Sequence, residues 1–168
     1  MPTGLKATSS NIAIGFAATE TAPNTFVQSQ VDLNLSPLDR EVFVVLAINL
    51  DGSSPDLIPG TNSAVNGSLT TTSQTAVVDL DDSNCLARRV QRIRSDVAMA
   101  VGFSEQALET PASTLDYIGI VATNDFFIQL EGTNNVGPKS MSGKMYGYRA
   151  RASADIYAAL VQSEVLSA

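Results

Sequence analysis

The stretch TFVQSQVDLNLSPLDREVFVVLAINL, residues 25–50, decides the fold class. Its first part, 25–35, alternates apolar and polar side chains, a period of two that predicts a strand with one exposed face. The apolar face carries Val27, Val31, Leu33 and Leu35, and the polar face carries Gln28, Gln30, Asp32 and Asn34. After a turn at Ser36-Pro37, residues 40–50 are apolar on both faces. That pattern predicts a central strand covered on both sides.

Other segments extend the β pattern. We predict further strands at 12–16 and 75–80, a hairpin at 117–131 around a short Asn/Asp loop, and a strand at 144–152. A capping serine and apolar residues at helical spacing predict a short helix within 153–168. No alternation of strands with helices is present that would make the sheet parallel.

Residues 82–96, DSNCLARRVQRIRSD, hold four of the ten basic residues and the only cysteine. The apolar positions that follow a helical period are Leu86, Val90, Ile93, Val97 and Val101. Acidic and amide side chains just before them provide N-cap oxygens, and Gly102 is a natural stop. We therefore predict an amphipathic helix with Arg88 and Arg92 in solvent and Arg89 and Arg94 on its flanks. Ser104–Thr110 is predicted to add a helical turn.

Residues 51–74, DGSSPDLIPGTNSAVNGSLTTTSQ, are rich in turn formers and show no sustained period. A structureless loop of that length is uncommon in a compact domain unless it has a role. We predict a long exposed loop that contacts a partner.

Composition removes most catalytic designs. The chain has 168 residues, one cysteine and no histidine, which excludes Ser-His-Asp triads, Cys-His pairs and Cys/His zinc patterns. This length suits one domain, 1–168. The net charge of −7 lies wholly in residues 1–84, because the eight bases of 85–168 balance eight acids. A dedicated nucleic-acid binder would be basic, so nucleic acid is not expected to be a primary partner.

Three constellations have a chemical interpretation beside a plainer one. Oxygen-bearing side chains at near-alternate positions form a weak calcium candidate, and the alternative is strand-end and capping roles. They are Asp79, Asp81, Asp82 and Asn84. Gly132–Ser140 resembles a phosphate-binding loop, but Pro138 removes a donor N–H, which favours an ordinary inter-strand loop. Paired carboxylates could hydrolyse glycosides without histidine, although separation along the chain does not give their separation in space.

The summed pattern predicts a mainly β protein, an antiparallel β-sandwich or single jelly roll with one internal amphipathic helix and a short C-terminal helix. The length, the strand-rich pattern from Ile12 to Ala152 and the Ser/Thr/Asn-rich loops resemble the small single jelly-roll capsid proteins of icosahedral viruses. That resemblance implies a self-assembling structural protein of the virion, assembled in the host cytoplasm. It implies no enzymatic activity, no cofactor and no small-molecule substrate.

The expected partners are copies of the same chain in a symmetric assembly and other virion proteins, with membrane contact secondary. Besides the 51–74 loop, the predicted interface residues are Arg88, Arg89, Arg92, Arg94, Arg149 and Arg151. The alternatives are a β-sandwich binding or attachment module for carbohydrate or a receptor, and a histidine-free hydrolase with paired carboxylates.

Overall fold

The computed structural model describes residues 2–107 and 115–168. Its strands are β1 (Leu5–Ala7), β2 (Ile12–Thr19), β3 (Val27–Asp32), β4 (Glu41–Gly52), β5 (Ser63–Thr70), β6 (Cys85–Ser95), β7 (Ala100–Ala107), β8 (Gly119–Val121), β9 (Asp125–Thr133) and β10 (Ser140–Ala152). A single helix within this part of the chain, α1 (Ala154–Leu166), follows the last strand.

The strands form two antiparallel sheets. Sheet A has the order β1-β10-β4-β8, with β2 also on β10, and sheet B has the order β3-β9-β5-β6-β7. Without β1 and β7, eight strands remain, and the first pairs with the last, the second with the seventh, the third with the sixth and the fourth with the fifth. Contacts of β10 with β4 and of β9 with β5 complete the two sheets. This is a long antiparallel ribbon wound into a sandwich, the jelly-roll arrangement.

One apolar core fills the space between the sheets. It includes Phe16, Phe43 and Met145 from sheet A and Phe126 and Ile128 from sheet B. The rings of Phe16 and Phe126 meet edge to face with centroids 5.5 Å apart, a favoured arrangement for an aromatic pair. The interior is therefore packed with side chains.

The predictions for the opening stretch are confirmed. In β3 and the residues after it, the apolar positions pack on the core and the polar ones turn outward. In β4, Phe43 and Val45 lie in the central core, whereas Val42 and Val44 lie in a second apolar cluster on the outer face of sheet A. Apolar clusters therefore cover both faces of β4, β10 pairs along one of its edges, and β8 pairs with the other edge at 43–45.

The C-terminal helix is also confirmed. Ser153 is its N-cap, and the Ser153 hydroxyl accepts a hydrogen bond from the amide of Ile156. Four apolar residues of α1 pack on the second cluster, at the outer face of sheet A; they are Ile156, Tyr157, Leu160 and Val161.

The predicted internal helix is wrong. Residues 85–95 form β6 and 100–107 form β7, paired as a hairpin in sheet B. The helical spacing of the apolar residues gave a wrong prediction because the strand that forms instead has an arginine, Arg89, that points inward at the end of the sandwich. A strand with arginine on both faces looks unfavourable by pattern, but here the inward guanidinium donates to the carbonyl of Leu50 at the end of β4.

The predicted 51–74 loop is also wrong in its centre, because residues 63–70 form β5, a buried strand between β9 and β6. Its sequence includes Asn66-Gly67-Ser68, which imitates a turn. Gly67 is present for packing, since a Cβ there would lie 2.1 Å from Sδ of Met141. Ser68 is fully buried yet hydrogen-bonded, so a polar sequence fits an interior strand.

Three further predictions fail, the last of them over the residues that the structure describes. The segments 117–122 and 126–131 contain strands but no hairpin, because β8 pairs with β4 in sheet A and β9 belongs to sheet B. Residues 75–80 form no strand and belong to the connection 71–84 between β5 and β6. The helical turn predicted at 104–110 is β7 up to Ala107. The rest of that prediction lies outside the described residues.

Candidate interaction surface

Three of the predicted interface arginines lie on the outer face of sheet B, along β6. Arg88 Nε lies 2.8 Å from Asp79 Oδ1, an ion pair by distance in which Nε lacks hydrogen-bond geometry. Arg92 Nη1 donates to Glu105 Oε1 on the neighbouring strand at 2.9 Å. Arg94 is exposed, and no carboxylate of the described residues forms an ion pair with it. The outer face of sheet B therefore presents one arginine whose charge is not compensated within this part of the chain.

Arg89 has a different position from its neighbours on β6. Its guanidinium lies between the sheets and donates to the carbonyl of Leu50. Gln91 lies beside it, and with its amide oriented to match the surrounding groups, Gln91 donates to Ser53 O at 3.0 Å and accepts from Arg89 Nη2 at 3.2 Å. These contacts give Arg89 a structural role at the end of the sandwich, while the interface role predicted for it stays a prediction.

The two arginines of β10 stabilise the connection between β3 and β4. Arg149 donates to the carbonyls of Leu33 (2.6 Å) and Asn34 (2.9 Å) and forms an ion pair with Glu41 at 3.2 Å. Arg151 forms an exposed pair with Asp39 at 3.2 Å. Both arginines are thus engaged within the chain, and a role in contacts between copies stays a prediction for them too.

A row of polar side chains crosses the outer face of sheet B. Gln129 donates to Gln28 Oε1 at 3.0 Å and to Thr70 Oγ1 at 2.7 Å, and it accepts from the Ser68 hydroxyl at 2.8 Å. The connection 71–84 lies over this row. Its backbone amides at Gln74 and Val78 donate to Gln28 Oε1 and Ser68 Oγ. The row therefore gives an irregular segment the hydrogen bonds it needs to cover a sheet.

The β6–β7 hairpin exposes apolar side chains. Their exposed fractions are 89% for Val97, 71% for Met99, 52% for Val101 and 50% for Phe103. Strand β7 is the last strand of sheet B, and no described strand pairs with its outer edge. Sequence reasoning missed this edge because it assigned the region to a helix, although Met99, Val101, Phe103 and Glu105 have the alternate spacing of a strand face.

The calcium candidate does not converge. Asp79 is engaged by Arg88, Asp82 Oδ1 accepts from the amide of Asn84 at 2.8 Å, and Asn84 Nδ2 donates to Thr72 Oγ1 at 2.9 Å. Within residues 2–107 and 115–168, no three Asp, Glu, Cys or His side chains are grouped to hold a metal ion. The alternative roles in turns and at strand ends fit the contacts of Asp79, Asp82 and Asn84 better, and Asp81 lies in the same connection.

The loop that resembles a phosphate-binding sequence is an inter-strand connection between β9 and β10. Lys139 Nζ forms an ion pair with Asp56 at 2.6 Å, and the backbone amides of Val136 and Gly137 donate to the same carboxylate. The hydrogen bond from Lys139, with those from the two amides, lowers the pKa of Asp56 to about 2. Since the lysine is nearly buried and already paired with Asp56, this loop has no free cation for a phosphate.

The hydrolase alternative needs two facing carboxylates. Asp32 on β3 and Asp125 on β9 are direct register partners. The amide of Gln30 donates to both carboxylates, at 3.4 Å to Asp32 and 2.5 Å to Asp125. Since these acids lie side by side on neighbouring strands of one sheet, with Asp32 on the edge strand β3 and Asp125 on β9, and not across a cleft, their arrangement does not suit a sugar chain held between them.

A cavity of about 210 Å³ lies where α1 meets the connection 71–84, lined by Cys85, Leu160 and Glu164 among others. Burial, with the carboxylate of Asp82 nearby, raises the pKa of the Cys85 thiol to about 11, as an inert thiol requires. Glu164 accepts hydrogen bonds from the amides of Ala122 (2.7 Å) and Thr123 (2.9 Å), yet burial raises its pKa. These groups attach α1 to the sandwich.

Comparisons with known proteins gave structural matches only. No protein-family model matches the chain, and no curated protein matches it at a significant level. Among solved structures, the chain is similar to one of Desmodium yellow mottle tymovirus, with a TM-score of 0.35, 12% identity and coverage of 92% of this chain and 95% of that one. It is also similar to the unassembled pentamer of Merkel cell polyomavirus VP1, with a TM-score of 0.38, 7% identity and coverage of 87% and 96%.

A second structure of Merkel cell polyomavirus VP1, in complex with GD1a oligosaccharide, matches with a TM-score of 0.33, 7% identity and coverage of 87% and 97%. These superpositions are too loose to support any statement about function, and the jelly-roll fold rests on the strand pairing described above. No helix within residues 2–107 and 115–168 combines the length and apolar character needed to cross a bilayer.

Proposed function

We propose that this protein is a self-assembling structural protein, a subunit of a virion shell that acts through contacts between copies. On this proposal the protein catalyses no reaction and needs no cofactor. A sandwich whose interior is filled by side chains is a rigid block, and such a block does its work through its edges and loops.

The observation that carries the proposal is the open edge of sheet B. An edge strand with free backbone N–H and C=O groups is a template for pairing with another chain, and proteins that stay monomeric usually protect such edges. Here the edge strand β7 exposes Val101 and Phe103, and the adjacent turn exposes Val97 and Met99. Exposed apolar side chains thus recur at every second position from 97 to 103, an apolar strip along the hairpin of the kind expected for a contact surface.

The sparsely charged composition supports the same proposal. Only 16% of residues are charged, and serine, threonine, asparagine and glutamine provide much of the polarity. Burying a hydrogen-bonded hydroxyl or amide costs far less than burying a charge, so such a surface suits contacts between copies.

Multi-angle light scattering over a concentration series, repeated across salt and pH, tests the proposal. We expect the wild-type protein to form defined oligomers or closed particles, seen as regular particles by electron microscopy. The double variant Val101→Ser with Phe103→Ser should shift the protein to monomers, because it removes the apolar contact while leaving the buried core unchanged.

The matched control is Val165→Ser with Leu166→Ser, because these exposed apolar residues lie at the end of α1. This variant should assemble like the wild type. A wild-type protein that remains monomeric at high concentration under every condition would contradict a self-sufficient shell function.

A further inference from the structure

The outer edge of β7, with which no described strand pairs, has the features of a self-complementary surface. An isologous contact places the same patch of two copies across a two-fold axis, so each group on one side must find its complement on the same strand of the other copy. Two antiparallel copies of one edge strand meet this condition when a single residue lies on the axis. The side chains of β7 and the residues of β6 that pair with them identify that residue.

We propose that two copies of this chain join β7 to β7 in antiparallel fashion across a two-fold axis at Phe103, so that sheet B continues from one copy into the next. This inference rests on the proposed self-assembly and names its contact. In this register Phe103 lies opposite Phe103 of the second copy, and Val101 lies opposite the second copy's Glu105. The two phenyl rings lie side by side at the axis, where an aromatic pair replaces two half-exposed rings.

Charge fixes the register. In the chain's own hairpin, Val101 is the register partner of Arg94, and Glu105 is the register partner of Val90. The proposed pairing therefore places Arg94, Val101 and the second copy's Glu105 in one row across the joined sheet. Neighbouring strands lie about 4.8 Å apart, so Arg94 can extend over the small Val101 to that carboxylate. Glu105 uses only Oε1 for Arg92 of its own copy, and its Oε2 remains for Arg94.

Neighbouring registers lack this match. An axis at Gly102 places Phe103 of one copy opposite Val101 of the other, and the row that begins at Arg94 then ends at the second copy's Arg92 and contains no carboxylate. An axis at Ser104 brings Arg94 into the row of the second copy's Arg88. Of these three registers, the axis at Phe103 is the one that gives a carboxylate to Arg94, which forms no ion pair with the described residues, and it does so twice because of the symmetry.

Disulfide trapping tests the register, since directly opposite residues have Cα atoms about 4.5–5.5 Å apart, within the range that a disulfide bridges. The experiment uses the full chain with Cys85→Ser, which removes its only cysteine. Phe103→Cys in this background should give a covalent dimer under mild oxidation. Ala100→Cys, on the same strand but about 20 Å from its symmetry mate at 3.4 Å per residue, should give none.

A second variant keeps the phenyl ring. Val101→Cys with Glu105→Cys places the two thiols opposite one another between copies, while within one strand they are too far apart to bridge. Independently, Arg94→Glu should weaken the wild-type dimer about tenfold, and Arg94→Gln should weaken it less, because the first change creates repulsion and the second only removes an attraction. Light scattering provides both dissociation constants.

The outcomes separate this inference from the proposed function. The β7 contact is overturned, and self-assembly is left standing, if the protein assembles but no disulfide forms with Phe103→Cys or with the 101/105 pair. Equal disulfide formation with Ala100→Cys would also overturn it. Trapped dimers that never grow into larger particles support the β7 contact and overturn the shell function. A protein that neither assembles nor traps overturns both.

Discussion

The two sheets are covered on their outer faces in opposite ways. Sheet A presents an apolar outer face that includes Val42 and Val44, and α1 packs on it with apolar side chains. Sheet B presents the polar row around Gln129, and the irregular connection 71–84 lies on it. A regular helix satisfies its own backbone and needs only an apolar surface, whereas an irregular segment must find partners for its amides.

The difference has a consequence for assembly. Helix α1 covers β10 and β4 in the middle of sheet A, and the connection 71–84 covers sheet B from Gln28 to Arg88. Neither reaches the outer edge of β7, where the apolar strip is exposed. The outer faces of the sandwich are therefore covered within the chain, and the contacts that we propose between copies are left to its edge.

A substitution that disrupts the packing of α1 on sheet A is expected to have the largest effect on stability. Leu160→Asp should lower the free energy of unfolding by about 2–3 kcal/mol, because it places a charge against the apolar outer cluster of sheet A. Gln162→Asp, on the exposed side of the same helix, should change it by less than about 0.5 kcal/mol. Urea denaturation measures both, and equal effects of the two variants would show that α1 is not held by apolar packing.

A substitution in the polar row beneath the connection 71–84 is expected to have a somewhat smaller effect on stability. Gln129→Leu should cost about 2 kcal/mol, because it removes the acceptor of the buried Ser68 hydroxyl and a donor to the buried Thr70 hydroxyl. Lys144→Leu, an exposed change on β10, is the control and should be close to neutral. If Gln129→Leu were stabilising, the row would be an expendable feature and the cover would be held by other contacts.

The attachment of α1 should show a small pH dependence. Burial raises the pKa of Glu164 above its usual value, so its protonated form favours the folded state. The stabilisation is complete below the ordinary glutamate pKa and is lost as pH rises through the raised value. Alkylation of Cys85, which lines the same cavity, should therefore speed up, as the pH rises above the ordinary glutamate range, by more than its own thiolate fraction explains.

Glu164→Gln is the matched variant for this measurement. It removes the titrating group while keeping the size of the side chain, so the additional pH dependence should disappear. If alkylation of the Gln variant kept the same additional dependence, another group would be responsible for it.

The segments predicted correctly are those in which local pattern and tertiary position agree. Val27 and Val31 alternate with polar residues because β3 has one face on the core, and Ser153 is followed by a helix because its hydroxyl can cap one. The segments predicted wrongly carry side chains whose partner is distant in sequence. Arg89 is stabilised inside by Leu50, and Gly67 is required by Met141.

The candidate surface was predicted in part. The sequence placed four arginines near one another, but it could not show that one points inward, that two are compensated by Asp79 and Glu105, and that Arg94 is left exposed. Those assignments depend on which strand lies beside β6. The open edge of β7 depends on the same fact and was not predicted.

By itself, the sequence determined a mainly β chain with a central strand at 40–50, a capped C-terminal helix and no histidine-based chemistry. These features follow from side-chain period, capping groups and composition, which are local properties. Only the tertiary structure decided that consecutive strands cross between sheets, that a polar strand is buried under a hydrogen-bonded connection, and that β7 is left at the edge. Strand pairing joins residues distant along the chain, and alternation within a segment carries no record of its neighbour.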